Sequence, residues 1–315
     1  MTEKGATGMQ QVREIHVHRK GKWNRNARAG FLFVLPAILG FMMFCAIPIV
    51  YSGYLSFTDW NVFKAPKLIG FKNYVKIFTN DYLFTEAIAA TFKFALGSTV
   101  FSSIYAFLLA LLLNADVKGR SVFRTIFYLP SIVPAVANCM LWSWLYNKDF
   151  GLFNSILMAI GIPKQSFIAG QGSVIPSLIF MSMWGCGSTM IIYLAGIQGV
   201  PQQLKEAVRI DGGNYWHELI NVTIPMVSPT IFFNVLMGLI GSFQAFNQAF
   251  LMTGGGPNNK SLFYSYYLYS TAFKQNKMGY ACALGWVMFI IMIVFTALFF
   301  KTFSKRVFLE GGDGE

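Results

Sequence analysis

The sequence predicts an all-α membrane protein with six transmembrane helices. Three observations carry that prediction. Of 315 residues, 55% are hydrophobic and only 12% are charged, against about 25% charged in soluble domains. Six stretches hold no Asp, Glu, Lys or Arg: 29–58, 94–115, 125–147, 165–204, 219–259 and 278–300. Each is at least 22 residues long, and roughly 20 apolar residues cross the hydrocarbon core of a bilayer. Lys and Arg are also divided unevenly between alternate loops, as the positive-inside rule expects.

The helices are expected at 29–55, 84–114, 121–146, 173–200, 226–252 and 277–302. An even number puts both termini on one side. With both inside, 15 Lys and Arg are inside and 9 outside, and Lys93 falls within the second helix. Every arginine is then inside, which favours an N-in, C-in topology. The chain divides into a cytoplasmic arm (1–28), a transmembrane domain (29–303) and a cytoplasmic tail (304–315). No small-residue cleavage site follows the first apolar run, so that span is expected to stay.

The outer loops carry their own signals. DWNVFKAPKLIGFKNYVKIF (59–78) mixes aromatics, Lys and Gly and reads as interfacial. TGGGPNNKS (253–261) is a turn cluster that ends the fifth helix. Trp60, Tyr74, Tyr82, Tyr146, Tyr264 and Tyr266 sit near span ends, where aromatics favour the headgroup region.

Several chemistries are excluded. The net charge of +12 is explained by cations flanking membrane helices, not by nucleic acid. Cys45, Cys139, Cys186 and Cys282 all fall inside expected spans and read as small apolar packing residues. His16 and His18 lie in the polar arm and read as solvated. No acids, bases or metal ligands converge, so neither an enzyme nor a metal site is expected. Ion-coupled carriers bury charge at mid-membrane depth. Here Glu86 and Lys93 lie near the start of the second helix, where Lys93 can snorkel. No GxxxxGK[ST] loop is present to cradle ATP.

The spans do carry neutral polar groups. In the third helix Ser131, Ala135, Asn138 and Trp142 share a face at i, i+4, i+7 and i+11. The fourth helix offers Trp184 and Ser188. The fifth offers Gly238, Ser242, Gln244, Asn247 and Gln248. Amides, hydroxyls and indoles suit a neutral, hydroxyl-rich ligand. Interhelical hydrogen bonding and small-residue packing would explain the same residues.

One polar segment interrupts the apolar chain, KEAVRIDGGNYWHELINVTIP (205–225). It holds every charge between Lys164 and Lys260. Pro201 starts a helix well, and QQLKEAVRI continues it, with Leu204, Ala207 and Val208 on one face. Gly212 and Gly213 end it. Asn214 is placed to cap a second helix, with Glu218 in its first turn. Pro225 and Pro229 mark the entry to the fifth span.

This segment resembles the EAA loop of permease subunits of bacterial ABC importers. That pattern is EAA, three residues, G, nine residues, I, one residue, LP. Here Glu206-Ala207-Val208, Gly212, Val222, Ile224 and Pro225 match it in spacing, with Val208, Val222 and Ile224 as conservative departures. Asp211 before Gly212 fits the sugar-importer form. YLPSIVPAVANCMLWSWLYNKDFGLFN (128–154) and TGGGPNNKSLFYSYYLYSTAF (253–273) resemble carbohydrate permeases of the maltose and glycerol-3-phosphate type.

The resemblance implies a type I ABC importer permease fold with a cytoplasmic coupling helix between helices four and five. It implies a second permease subunit of different sequence, a dimer of cytoplasmic ABC ATPases that holds the ATP and Mg, and an extracellular or periplasmic sugar-binding protein. No cofactor is bound by this chain itself, and its surroundings are membrane lipid. Glu206, Ala207, Arg209, Asp211, Gly212 and Pro225 become the expected ATPase-coupling residues. Ser131, Ala135, Asn138, Trp184, Ser188, Gly238 and Ser242 become the expected substrate pathway, for a di- or oligosaccharide. Two competing expectations are an ATP-independent secondary carrier or channel for a neutral solute, and a scaffold whose loop binds a regulatory protein.

Overall fold

A computed structural model describes residues 23–115 and 118–303, with side chains from residue 29 onward. The arm 1–28, apart from the backbone of 23–28, and the tail 304–315 lie outside the described residues. His16 and His18 are therefore outside them too. The described residues fall into two compact units, divided between Ser52 and Gly53.

In the first unit, helix α1 (Trp23–Phe41) runs through a widened turn at Met42–Ala46 into α2 (Ile47–Ser56), whose last turn enters the second unit. The widened turn stands just before Pro48, which lacks an N–H to continue a regular ladder. Ala29–Ser56 is apolar and long enough to cross a bilayer.

The second unit opens with a two-stranded antiparallel pair. Strand β1 (Thr58–Asp59) faces β2 (Lys67–Leu68), with Thr58 opposite Leu68 and Asp59 opposite Lys67. Helix α3 (Lys72–Thr79) follows. It buries Asn73 and Ile77 and exposes Val75 and Phe78, and Phe71 just before it is exposed too. Asn73 Nδ2 donates to the carbonyls of Ser56 and Thr58, at 2.9 Å each. The segment read as interfacial is thus an anchored hairpin and helix with an outward apolar face.

Helix α4 (Tyr82–Asn114) is the hub. The later elements are α5 (Arg120–Tyr128), α6 (Ala135–Leu145), α7 (Leu152–Ala159), α8 (Val174–Trp184), α9 (Gly187–Gln198), α10 (Gln202–Ile210), α11 (Tyr215–Glu218), α12 (Ile224–Phe243), α13 (Tyr264–Tyr269) and α14 (Met278–Phe303). The most extensive contacts of α4 are with α8, α9 and α12. Its apolar positions cannot draw these helices together in lipid, where tails are equally apolar, so hydroxyls and small residues must do it. Ser98 Oγ donates to Ser242 Oγ on α12 at 3.0 Å. Ser102 pairs with Ser182 on α8 at 3.2 Å, and Ser103 with Tyr193 on α9 at 2.5 Å. One side of α4 thus bonds three different helices.

Asp81 fastens the start of this hub. Its Oδ1 accepts the N–H of Phe84 at 3.0 Å, capping α4. Its Oδ2 accepts the hydroxyls of Tyr267 on α13 and Tyr280 on α14, both at 2.5 Å. Burial pushes the Tyr267 hydroxyl well above its ordinary value, and the Asp81 hydrogen bond adds to that, so it stays a donor.

Four helical runs are long and apolar enough to cross a membrane by themselves, and two bent pairs bring the number to six if each pair is one span. The bends correct the sequence expectation of continuous third and fourth helices. The run 121–146 is broken between Ile132 and Ala135 and turned by 100°. Pro130 and Pro134 remove donors there, and Val133 is extended because a residue before proline is driven from the helical region. The run 173–200 bends by 54° at Gly185–Cys186. A Cβ on Gly187 would lie 2.6 Å from the carbonyl oxygen of Phe127, so only glycine lets α9 start against the end of α5.

The fifth expected helix, 226–252, is also corrected. Helix α12 ends at Phe243, and Gln244–Phe246 are irregular before a short helical turn resumes. Gln244, Asn247 and Gln248 therefore do not continue the face of Gly238 and Ser242.

Candidate coupling segment and translocation path

The polar segment folds as its local signals dictate. Helix α10 starts after Pro201, whose fixed φ suits a helix entry. It ends in a paired carbonyl closure. The N–H of Gly213 donates to the carbonyl of Val208 at 2.8 Å, and that of Gly212 to Arg209 at 3.1 Å. Such a closure needs a left-handed residue, and Gly212 supplies it at φ 80°. A Cβ on Gly213 would stand 2.5 Å from Val208 Cγ1. Asn214 then caps α11, accepting from the N–H groups of Trp216 and His217. His217 Nδ1 accepts the N–H of Asn214 in return.

An ion pair ties the two helices together. Arg209 Nη2 lies 2.9 Å from Glu218 Oε2, with Glu218 buried and Arg209 largely exposed. Position in the chain suggests only a helix-dipole role for Glu218; the partnership with Arg209 shows only in the fold. Glu206, Ala207, Asp211 and Gly212 are exposed along the outer side of the turn. Around them lie Leu204, Ile210, Tyr215 and Trp216, all exposed, Ile210 by 85%. The last three were not singled out in the sequence. The available signal was apolar side chains in a segment otherwise built for water. Pro225 is the second residue of α12 and follows a widened turn at Leu219–Thr223.

The expected pathway residues are partly dispersed. Gly238 and Ser242 line a cavity of about 390 Å³ together with Phe94, Ser182, Gln244 and Gln248. Both also serve packing: Ser242 accepts from Ser98 and Thr99, and a Cβ on Gly238 would lie 3.2 Å from Thr99 Cγ2. The irregular backbone at Gln244–Phe246 borders this cavity.

Ser131 lies before the 100° bend and donates to the carbonyl of Tyr128 at 2.7 Å. It therefore does not share one helical face with Ala135, Asn138 and Trp142, as the spacing had predicted. Ala135 is exposed on the first turn of α6. Asn138 and Trp142 remain one turn apart on α6, and Asn138 Oδ1 and Trp142 Nε1 are buried without a hydrogen-bond partner among the described residues. Trp142 meets Trp184 edge-on, ring centroids 5.9 Å apart. Ser188 is exposed on the first turn of α9. None of Ser131, Ala135, Asn138, Trp184 and Ser188 lines the 390 Å³ cavity.

Comparison with known proteins places this architecture. Residues 102–308 match the family described as binding-protein-dependent transport system inner membrane component. The chain is 36% identical to the probable ABC transporter permease protein YesP of Bacillus subtilis, over 98% of this chain and 99% of that one. It is 30% identical to the multiple sugar-binding transport system permease protein MsmF of Streptococcus mutans, over 88% and 95%. A subunit of a crystallised bacterial ABC transporter involved in import of the acidic polysaccharide alginate superposes with a TM-score of 0.79. That pair is 25% identical and covers 91% of this chain and 99% of the neighbour. Family, relatives and apolar helices together make this a multi-pass plasma-membrane protein and a transport component. The chain belongs to the binding-protein-dependent transport system inner membrane components, as a permease subunit of the carbohydrate ABC importers.

Proposed function

We propose that this chain is one half of the membrane channel of an ATP-driven importer that moves an oligosaccharide by alternating access. Six spans with both termini inside put α10 and α11 at the cytoplasmic face. The observation that carries the reading is the closed helix–turn–helix at 202–218, braced by Arg209 and Glu218 and presenting exposed apolar side chains. A loop that only joined two spans would need neither the brace nor the apolar crown.

In this reading the segment docks into a cytoplasmic ATPase dimer that binds ATP and Mg. Glu206 and Asp211 make polar contacts, Ala207 and Gly212 allow close approach, and Arg209 holds the shape of the turn. Pro225 sets its angle to α12, so movement of the segment reaches Gly238 and Ser242. A second, different permease completes the path, and a sugar-binding protein delivers the ligand from outside. The names of MsmF and of the alginate importer support a saccharide cargo.

The test is uptake of labelled oligosaccharides by proteoliposomes holding the assembled transporter. Uptake should require internal ATP and stop with vanadate. Uptake that persists with vanadate and collapses with a protonophore would instead favour a secondary carrier.

A further inference from the structure

A second cavity, about 290 Å³, opens near the start of α4. Its wall includes Glu86, Ala90 and Lys93 on α4, Gln171 and Ile175 before and within α8, and Lys260 from the 253–261 turn. It differs chemically from the 390 Å³ cavity, which holds no charged residue.

Two cations and one carboxylate meet here. Lys260 Nζ lies 3.0 Å from Glu86 Oε2, and Tyr82 donates to the other oxygen, Glu86 Oε1, at 2.9 Å. Lys260 is placed by a constrained turn. Gly254, Gly255, Asn258 and Asn259 all have positive φ, and Ser261 beside it is fully buried, donating to the carbonyl of Gly256. Lys93 acts on the same Glu86 carboxylate through space. The three charged groups sum to one net positive charge.

Its position joins it to the path. Glu86, Ala90 and Phe94 succeed each other at i, i+4 and i+8 on α4, so they form one stripe. Ile175 and Ser182 are spaced i and i+7 on α8, again one stripe. Glu86, Ala90 and Ile175 line the charged cavity, while Phe94 and Ser182 line the neutral one. The two spaces thus share the α4 and α8 walls, the charged one nearer the start of each helix. Lys93 stands immediately before the charge-free stretch 94–115. Lys93 is exposed, and its side chain borders the cavity.

We infer that this vestibule is a selectivity site for acidic oligosaccharides, with Lys93 binding a uronate carboxylate and Lys260, held by Glu86, as its second contact. The inference rests on the reading of the chain as a saccharide permease. A carboxylate pairs with an ammonium through charge-assisted hydrogen bonds, which a neutral sugar does not make. Entry would bring the carboxylate into competition with Glu86 for Lys260, so that the site binds without trapping.

The experiment compares uptake of short uronate oligomers, from alginate and polygalacturonate, with uptake of their neutral methyl esters. It uses the assembled transporter with wild-type chain, Lys93→Gln and Lys93→Arg. Wild type should take up at least one acid form better than its ester. Lys93→Gln should lower that acid uptake about tenfold and leave ester uptake within twofold, and Lys93→Arg should retain most acid uptake. Unchanged acid uptake in Lys93→Gln would overturn the inference. Equal loss of both forms would overturn it in favour of a lipid or binding-protein contact at Lys93. Wild-type uptake of neutral oligosaccharides alone would overturn it while leaving the importer reading intact. Uptake of no saccharide at all would remove that reading, and this inference with it.

Discussion

Arg209 and Glu218 face each other across the Gly212 turn, nine residues apart in sequence and 2.9 Å apart in space. Glu218 is buried with its side chain 9% exposed, whereas Arg209 is 60% exposed. Removing Arg209 leaves a buried carboxylate without its cation. Fully buried pairs cost 3–5 kcal/mol when broken this way, and exposed pairs at most about 1. Arg209→Ala should therefore cost about 1–2 kcal/mol of local stability. Hydrogen exchange of the detergent-solubilised protein should show amides of 205–218 exchanging about tenfold faster. The swapped pair Arg209→Glu with Glu218→Arg should recover part of the protection. No change in either variant would remove the brace from the mechanism.

Gly212 is the residue on which the turn depends. At φ 80° a side chain costs roughly 1–2 kcal/mol. Gly212→Asp should insert into the membrane normally yet lose most sugar uptake, while ATP hydrolysis by the complex no longer responds to the binding protein. Gly212→Asn should be milder, since it tolerates the left-handed region as Asp does but adds no charge at the turn. Normal uptake by Gly212→Asp would contradict a coupling role.

Ser242 connects α12 to Ser98 and Thr99 on α4 and lines the neutral cavity. Ser242→Leu removes the hydroxyl and fills space, so both stability and uptake should fall. Ser242→Ala removes only the hydroxyl. Interhelical hydrogen bonds of this kind are worth about 0.6 kcal/mol on average, so Ser242→Ala should keep near-normal thermal stability. A blocked path predicts that Leu abolishes uptake and Ala spares most of it. Equal uptake in both would mean that the cavity is not on the route. Trp184 is tested by Trp184→Ala in the same assay, where unchanged uptake would take it off the path.

Asp81 gathers three donors from separate parts of the chain: the Phe84 N–H, Tyr267 and Tyr280. Hydrogen bonds to a charged group contribute about 1.5–3 kcal/mol each, and shared ones do not add. Asp81→Ala should lower stability by about 2–4 kcal/mol, read as a drop of several degrees in the melting temperature in detergent. Tyr267→Phe and Tyr280→Phe should each show a smaller drop, and the double variant less than their sum. An unchanged melting temperature for Asp81→Ala would show that the cluster is incidental.

The membrane class and the turn of the polar segment were legible because their signals are local. A charge-free run of at least 22 residues is counted directly from the chain. Pro201, Gly212 and Asn214 each state their preference through their own backbone or side chain, and the structure follows all three. The bends were not legible from length. Counting apolar residues treats a straight helix and a 100° turn alike, and prolines are tolerated in membrane helices. Pro130 and Pro134 are the available sign, and a spacing count that ignores them puts Ser131 on a shared face with Ala135 and Asn138.

The sequence by itself determined that the chain lives in lipid, where its apolar runs begin and end, and how the polar segment turns. Those properties follow from solvent preference and from torsional limits, which each residue carries with it. Tertiary structure alone decided who meets whom: Glu86 with Lys260, Ser98 with Ser242, and Asp81 with Tyr280, at separations of 174, 144 and 199 residues. Each pairing joins side chains far apart in sequence, so it leaves no periodic trace in the chain. The net positive charge of Glu86, Lys93 and Lys260 became visible only once the fold had brought them together.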